Sequence, residues 1–572
     1  MCDWAAAGLE EDMDGRRRGP GCAVWLLLAV VLLGAIAGGL GWIYVKKYMP
    51  TSELADKSQI FGVSGDQVAL ILDNELQEEQ GIYADGQVYL PVEWVNSHLN
   101  QRFYWDAGEE LLVYALPDTI VYADASTEGE SGPLLRIGAQ GAYLSLGLVT
   151  GYTDIRAQAF ATSQIKRVFI DTLWEPFEEA AVRREGMVRE RGGVKSPVIT
   201  QVSEGDTLRI LSSMEKWSLV RTEDGYLGYI ENRRLGERGS RTPVSSFTPP
   251  VYTNLSMDEK IRLGFHQVTT REANGTLEEY AATAQGMNVI VPTWFNVTDS
   301  DGTYTSLADK EYVDKAHEMG LQVWAMVENV STDESVKNLD TKELMSSTSK
   351  RRSLIENLMQ EAKTYGFDGF NLDFESLRAE AGPHYVQFIR ELSVSCRREG
   401  LVLSIDNYVP SDYTSFYNRK EQGTVADYVI VMGYDEHYAG GDPGSVASIG
   451  YVQDGIENTL KEVPREKVIN SVPFYTRVWT EAEGAVTSRA YGIANAKAWV
   501  EENDVELAWQ EDLGQYYGET ENESGRQRIW MEEERSLGLK VDLINQYDLA
   551  GVACWKLGFE TEDIWEIISQ VK

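Results

Sequence analysis

Cysteine is scarce, with four in 572 residues. That excludes a disulfide-stapled scaffold, which packs many bridges into a short chain. Histidine is nearly as scarce: the five lie at positions 98, 266, 317, 384 and 437. They show no metal-ligand spacing, and no cysteine pair makes the C-x-x-C step of a zinc site. Basic charge is in deficit. Lys and Arg number 52 against 90 Asp and Glu, a net charge of −38 and a pI near 4.5. Nucleic acid is excluded as a partner, because its affinity comes largely from Lys and Arg neutralising phosphates. A basic face on acidic lipid is excluded for the same reason. What is present is globular composition, 43% hydrophobic and 25% charged, in a chain long enough for about three to five domains.

Long hydrophobic runs are absent but for one. Ala23 to Val45 carries no charged residue, and a helix of that length spans a bilayer core of about 30 Å. Arg16, Arg17 and Arg18 precede it and Lys46 and Lys47 follow, a small excess of basic charge on the N-terminal side. The expectation is a cytoplasmic tail over 1–22, a signal-anchor helix over 23–45 and an extracytoplasmic remainder: a single-pass cell-membrane protein. A cleaved signal peptide is the alternative, since Ala35-Ile36-Ala37 resembles a small-residue cleavage site. The run is longer than a signal core and continues past that site, which favours the anchor. Cys396 and Cys554 sit in apolar contexts and read as buried thiols.

Residues 55–180 read as short strands with turn signals. Val68–Leu72 is followed by Asp85-Gly86 before Gln87–Pro91, and Asp-Gly beside apolar residues marks a hairpin. This stretch resembles the copper amine oxidase N-terminal-like stalk module of exported wall proteins. His98 is its one histidine, too little for a copper site, so a spacer role is expected. Residues 184–238 carry strands such as Thr207–Leu211 and Trp217–Arg221 between turns, then Asp224-Gly225-Tyr226-Leu227-Gly228-Tyr229-Ile230. They resemble bacterial SH3-like domains, which implies either wall binding or the positioning of a neighbour. Residues 239–252 are a Pro/Ser/Thr linker.

From 253 to 572 the pattern changes. Eight short apolar runs read as strands: 262–265, 288–292, 322–327, 369–374, 402–405, 428–432, 468–472 and 551–555. Helical patterns such as Ser353–Tyr365 and His384–Arg398 lie between them. Repeated βα units over about 320 residues predict an α/β fold, a (β/α)8 TIM barrel. The stretch of about 476–535 is too long for one loop and is read as an inserted α+β subdomain. Its aromatics, Trp479, Tyr491, Trp499, Trp509, Tyr516 and Tyr517, are expected mostly as its core.

The chemistry concentrates in Asp368-Gly369-Phe370-Asn371-Leu372-Asp373-Phe374-Glu375. Side chains alternate along a strand, so Asn371, Asp373 and Glu375 share one face and Phe370, Leu372 and Phe374 the other. Carboxylates on an inward face are costly unless paired, protonated or used. Glu375, nearest the C-terminal mouth, is expected to hold a proton and act as a general acid, with Asp373 accepting a hydrogen bond behind it.

This segment resembles the D-x-x-D-x-D-x-E signature of glycoside hydrolase family 18, the chitinase-like enzymes. Asp368, Asp373 and Glu375 match; Asn371 stands where the second Asp belongs, as is common in the exported and spore-associated N-acetylglucosaminidase branch. Met432-Gly433-Tyr434-Asp435 matches the family's M-x-Y-D, Pro473-Phe474-Tyr475 ends strand 7, and Trp555 ends strand 8, where the family places an indole under the sugar. The resemblance implies substrate-assisted retention, outside the usual two-carboxylate scheme. Glu375, Asp373 and Tyr434 would be catalytic. Asp368, Asn371, Asp435, Trp555 and Tyr475 would bind substrate. No metal or organic cofactor is implied.

The expectation is an anchored extracytoplasmic enzyme cleaving β-1,4 bonds after N-acetylglucosamine. The partner is an N-acetylglucosamine-containing polysaccharide: peptidoglycan, given the module company, with chitin as the alternative. A non-catalytic sugar-binding protein on the same fold is the rival class; it conflicts with the retained Glu375, Asp373 and Tyr434. Exo versus endo action and oligomeric state stay open.

Overall fold

A computed structural model describes residues 22–138, 141–330 and 339–572. The expected tail, with Arg16–Arg18, lies outside the described residues. The chain divides into two compact units. One joins the chain up to Pro91 to Ser145–Phe247, and the other joins Val92–Leu144 to Thr248–Lys572.

In the first unit Cys22–Tyr48 forms one helix. It is long and apolar enough to cross a membrane, and none of its apolar window is buried against protein. A small sheet follows. Gln67–Leu72 pairs parallel with Arg167–Asp171 and antiparallel with Glu75–Ala84. The hairpin read at Asp85-Gly86 is present, between Glu75–Ala84 and Gln87–Pro91. Both turn residues have positive φ, at 51° and 80°, the backbone that lets a two-residue turn follow the strand twist. Seven strands between Phe177 and Arg241 form a second, antiparallel sheet. It encloses Val188, Leu208, Ile210, Val220 and Ile230.

The second unit is built on eight parallel strands: β1 (Ile261–His266), β2 (Val289–Pro292), β3 (Gln322–Glu328), β4 (Gly369–Asp373), β5 (Val402–Tyr408), β6 (Tyr428–Met432), β7 (Val468–Pro473) and β8 (Gly551–Trp555). Each pairs with the next, and β8 pairs with β1, closing a (β/α)8 barrel. Both faces of such strands are buried, so they read in sequence as apolar runs rather than alternations. Leu263, Phe265, Trp324, Met326, Tyr428 and Ile430 fill the lower interior. Phe370, Leu372 and Phe374 face outward into the layer under the helices, as their alternation predicts.

Two helices flank the strand that carries the motif. α1 (Thr348–Tyr365) starts at Ser347, whose side chain accepts the Lys350 N–H, and ends at Gly366 with φ 78°. α2 (Gly382–Glu399) carries Pro in its first turn and ends at Gly400 with φ 71°. These are the expected start and stop residues of helices.

The stretch read as one stalk over 55–180 is divided. Residues 92–144 belong with the barrel, where Tyr104–Asp106, Leu111–Ala115 and Ile120–Ala123 form a three-stranded sheet. The reason is polar. The Asp106 carboxylate accepts the N–H and hydroxyl of Thr348, both at 2.7 Å, and Glu109 accepts the Ser349 N–H at 2.9 Å. Both carboxylates thus sit at the positive end of α1. Tyr104 and His384 share a hydrogen bond of 2.6 Å, and Arg102 pairs with Glu421 at 3.0 Å.

Between β7 and β8 lies a five-stranded antiparallel sheet running from Tyr475 to Met531, with a helix over Ile493–Glu502. Trp479 and Trp499 are buried in this insertion. The Trp479 indole donates to the Gly444 carbonyl at 2.9 Å.

Candidate active site

The C-terminal ends of the strands form the mouth where barrel enzymes place their chemistry. Asp373 is the last residue of β4, and Glu375 follows one residue beyond Phe374. The chain turns at Ser376, with φ 55°, which aims Glu375 along the rim. Asn329, just past β3, grips the backbone of Glu375 from both sides. Its carbonyl accepts the Glu375 N–H at 2.7 Å, and its amide donates to the Glu375 carbonyl at 2.9 Å. The Glu375 carboxylate is half-buried and accepts a 2.6 Å hydrogen bond from the Tyr408 hydroxyl. That hydroxyl also accepts the Ser376 N–H, at 3.2 Å.

Behind Glu375 the polar face of β4 points into the barrel. Asn371 is buried, and its amide donates to Ser404 at 3.1 Å and to Asp406 at 2.9 Å, both on β5. Asp373 is only 9% exposed, and its Oδ1 has no hydrogen-bond partner among the described residues. Burial drives its carboxyl well above the ordinary range, and the charges of Asp406, Glu375 and Glu328 add to the effect. Asp406 is pushed up to about 8, by burial first and by Glu375 second, against the Asn371 hydrogen bond. Glu328, at the end of β3, rises to about 7 because it is buried and faces Glu375. Burial and mutual repulsion thus raise the proton affinity of carboxyls on three adjacent strands.

The remaining candidates lie on the other side of the mouth. Tyr434 follows β6, and its ring meets that of Tyr475 edge-on at 6.2 Å. Burial raises its hydroxyl well above the ordinary value, and Asp406 and Asp373 both act on it. Asp435 is exposed and left-handed at φ 59°; it accepts the Tyr475 hydroxyl at 2.6 Å. Trp555 ends β8, half-buried, with its ring 5.4 Å from Phe265. The Trp555–Lys556 peptide is cis.

Asp368 does not join them. It precedes β4 at the opposite end of the barrel, where its carboxylate accepts the Val323 N–H at 2.8 Å and meets His317 at 2.8 Å. It ties neighbouring elements at the bottom of the barrel, and its expected substrate contact is corrected accordingly. Five residue steps of extended chain lead from it to Asp373, about 16 Å at roughly 3.3 Å per step.

Four mouth residues were not singled out from sequence: Glu328, Asn329, Asp406 and Tyr408. A signal existed for two of them. Ser404 and Asp406 alternate with Leu403 and Ile405, and Tyr408 continues their face past the polar Asn407, a shorter version of the motif strand's one-face pattern. No comparable alternation marks Glu328 and Asn329.

A family model, glycosyl hydrolases family 18, matches residues 265–560, and a bacterial SH3 domain model matches residues 186–236. The cortical fragment-lytic enzyme of Bacillus subtilis (strain 168) is 29% identical over 235 residues, 40% of this chain and 54% of that protein. The chain thus spans about half the length of that relative. The glycosylase YvbX of the same organism, itself uncharacterized, is 26% identical over 292 residues, 49% of this chain and 84% of that protein. Among solved structures, the C-terminal domain of a putative chitinase from Desulfitobacterium hafniense DCB-2 superposes with a TM-score of 0.50 at 20% identity. It covers 55% of this chain and 99% of that one, a likeness of fold.

Proposed function

The chain belongs to glycosyl hydrolase family 18, and from that premise we propose that it cleaves β-1,4 bonds after N-acetylglucosamine in peptidoglycan, held at the cell surface by its N-terminal helix. The observation that carries the reading is Glu375 at the mouth, its backbone held by Asn329 and its carboxyl by Tyr408, with the buried Asp373 two residues behind it on the strand.

In this reading Glu375 gives its proton to the glycosidic oxygen as the bond to the anomeric carbon breaks. The substrate's 2-acetamido oxygen attacks that carbon and closes an oxazolinium ring. Asp373, ionised at this stage, accepts the acetamido N–H and offsets the positive charge. Its Oδ1, without a partner among the described residues, is an acceptor for that bond. Tyr434 donates to the acetamido oxygen, Asp435 meets sugar hydroxyls, and Trp555 stacks under the ring. Water, deprotonated by Glu375, then opens the ring with retention.

Peptidoglycan is preferred over chitin because an SH3-like module and an apolar helix accompany the barrel, a company suited to an enzyme working on the wall it is attached to. The purified chain and its Glu375→Gln variant, given peptidoglycan and chitin oligomers, test this by mass spectrometry of products. New N-acetylglucosamine reducing ends on muropeptides, absent with the variant, are expected. Cleavage of chitin alone would move the substrate to chitin. Cleavage of neither would favour a sugar-binding protein.

A further inference from the structure

The parallel register sets two acids side by side. Leu372 of β4 pairs with Ile405 of β5, so one step on Asp373 lies beside Asp406. Strands in a sheet are about 4.8 Å apart, and both residues point inward. Asp406 is 3% exposed and Asp373 9%. Asn371 is the polar group inserted between them and the lower interior. Its amide donates to Asp406 Oδ1 at 2.9 Å, while Asp373 Oδ1 receives no hydrogen bond from the described residues. The two carboxyls are therefore not equivalent. Asp406 has a donor that stabilises its anion, and Asp373 has none at Oδ1 among the described residues.

We infer that Asp406 is the positioning residue for Asp373: it takes up the proton that Asp373 must give away before it can bond the substrate's acetamido N–H. This rests on the glycosidase reading above and deepens it. The step is an exchange within the pair. Asp373 begins as the acid and Asp406 as the anion; the proton crosses, and Asp373 ends as the anion and Asp406 as the acid. The pair keeps one proton and one negative charge throughout, so nothing passes to solvent from a closed site.

The groups facing Asp406 fit that role. Glu375, just past β4, favours its protonated form, and Asp406 in turn favours the protonated form of Asp373 on β4. Tyr434 after β6 and Tyr385 on α2 feel its charge, and both stay neutral phenols because burial raises them. Glu328 on β3 acts on Asp373 in the same sense as Asp406 does. Two buried acids that repel titrate as a unit, and the first proton is released by the member whose anion is better bonded.

The test is Asp406→Asn, which keeps an acceptor for Asn371 and removes the acid. We expect kcat to fall about 100-fold, with KM changed less than about threefold, the scale of one lost proton-transfer partner. The acid limb of the kcat profile should move to higher pH, since Asp373 must then ionise alone and without a donor at Oδ1. Asn371→Leu, which keeps both acids and removes the donor to Asp406, should move that limb in the same direction; it serves if Asp406→Asn does not fold. Infrared titration of the carboxyl bands needs no substrate. The carboxyl-band titration of the wild type should differ from that of the Asp406→Asn protein, which has no second acid to share the proton. An unmoved acid limb, or a fall in kcat with the wild-type pH profile, overturns the assignment, as does an infrared titration unchanged by the substitution. Inactivity of the wild type on both glycans would instead overturn the glycosidase reading, while the infrared result still decides the proton exchange.

Discussion

Tyr408 and Glu375 meet across neighbouring strands through a 2.6 Å hydrogen bond, with the phenol as donor. The same hydroxyl accepts the N–H of Ser376, the residue whose left-handed backbone swings the chain away from Glu375. One side chain thus orients the carboxyl and stabilises the turn that presents it.

Tyr408→Phe separates those tasks from packing. The ring is retained and two hydrogen bonds are lost. We expect kcat to fall about 10- to 100-fold with KM little changed, since an orienting contact matters most when the proton is transferred. Steady-state kinetics beside the melting temperature checks it. A fall in stability with unchanged kcat would assign Tyr408 to structure alone.

Arg351 on α1 and Glu391 on α2 form a fully buried ion pair at 2.9 Å. Arg351 also donates to the Met345 carbonyl at 2.7 Å and lies over the Tyr104 ring at 4.6 Å. Arg351→Met leaves the Glu391 charge buried without its partner and should cost about 3–5 kcal/mol. Denaturant unfolding followed by barrel tryptophan fluorescence measures it. Adding Glu391→Leu should recover much of the loss, because the unpaired charge, and not the missing contact, is the larger penalty.

His266 at the end of β1 is 1% exposed and bonds Tyr312 at 2.8 Å and Thr276 at 2.9 Å. Burial lowers it to about 4, with Lys556 adding to the effect. The folded state holds it neutral while the unfolded chain protonates it near 6.5. Its contribution is therefore fully present above pH 6.5 and lost as pH falls towards 4, on the order of 3 kcal/mol at the acid end. His266→Asn should flatten the dependence of stability on pH in that window. Melting temperatures from pH 4 to pH 7 decide it.

The N-terminal helix makes a separate prediction. The full chain should stay with membranes after a carbonate wash, and the chain starting at Met49 should be released. Release of the full chain, or a mature N-terminus near Ala37, would assign the segment to export instead.

The barrel strands were legible because each is buried on both faces and therefore reads as an apolar run. The run at 322–327 extends by one residue to Glu328, and that at 402–405 by three to Tyr408. In both cases the missed end is polar, because it lies at the mouth. The motif's alternation put Asn371, Asp373 and Glu375 on one face, where the structure has them. It said nothing about height, so Asp368 was grouped with residues at the other end of the barrel. The split of 55–180 was invisible for a different reason. Asp106 and Glu109 are ordinary surface acids in sequence, and what gives them a role is the N-terminus of a helix more than 200 residues away.

By itself the sequence determined the strand count, the inward acids of β4, the family and the apolar segment near the N-terminus. These are all written in local periodicity and in short motifs, which the chain carries whatever its neighbours are. The tertiary structure alone decided which groups act on those acids. Tyr408, Asn329 and Asp406 reach Glu375, Asp373 or Asn371 from adjacent strands, and parallel neighbours in a barrel are set by register rather than by sequence distance. The proton balance of the mouth was decided there too, because a carboxyl's affinity for its proton depends on the burial and charges that surround it.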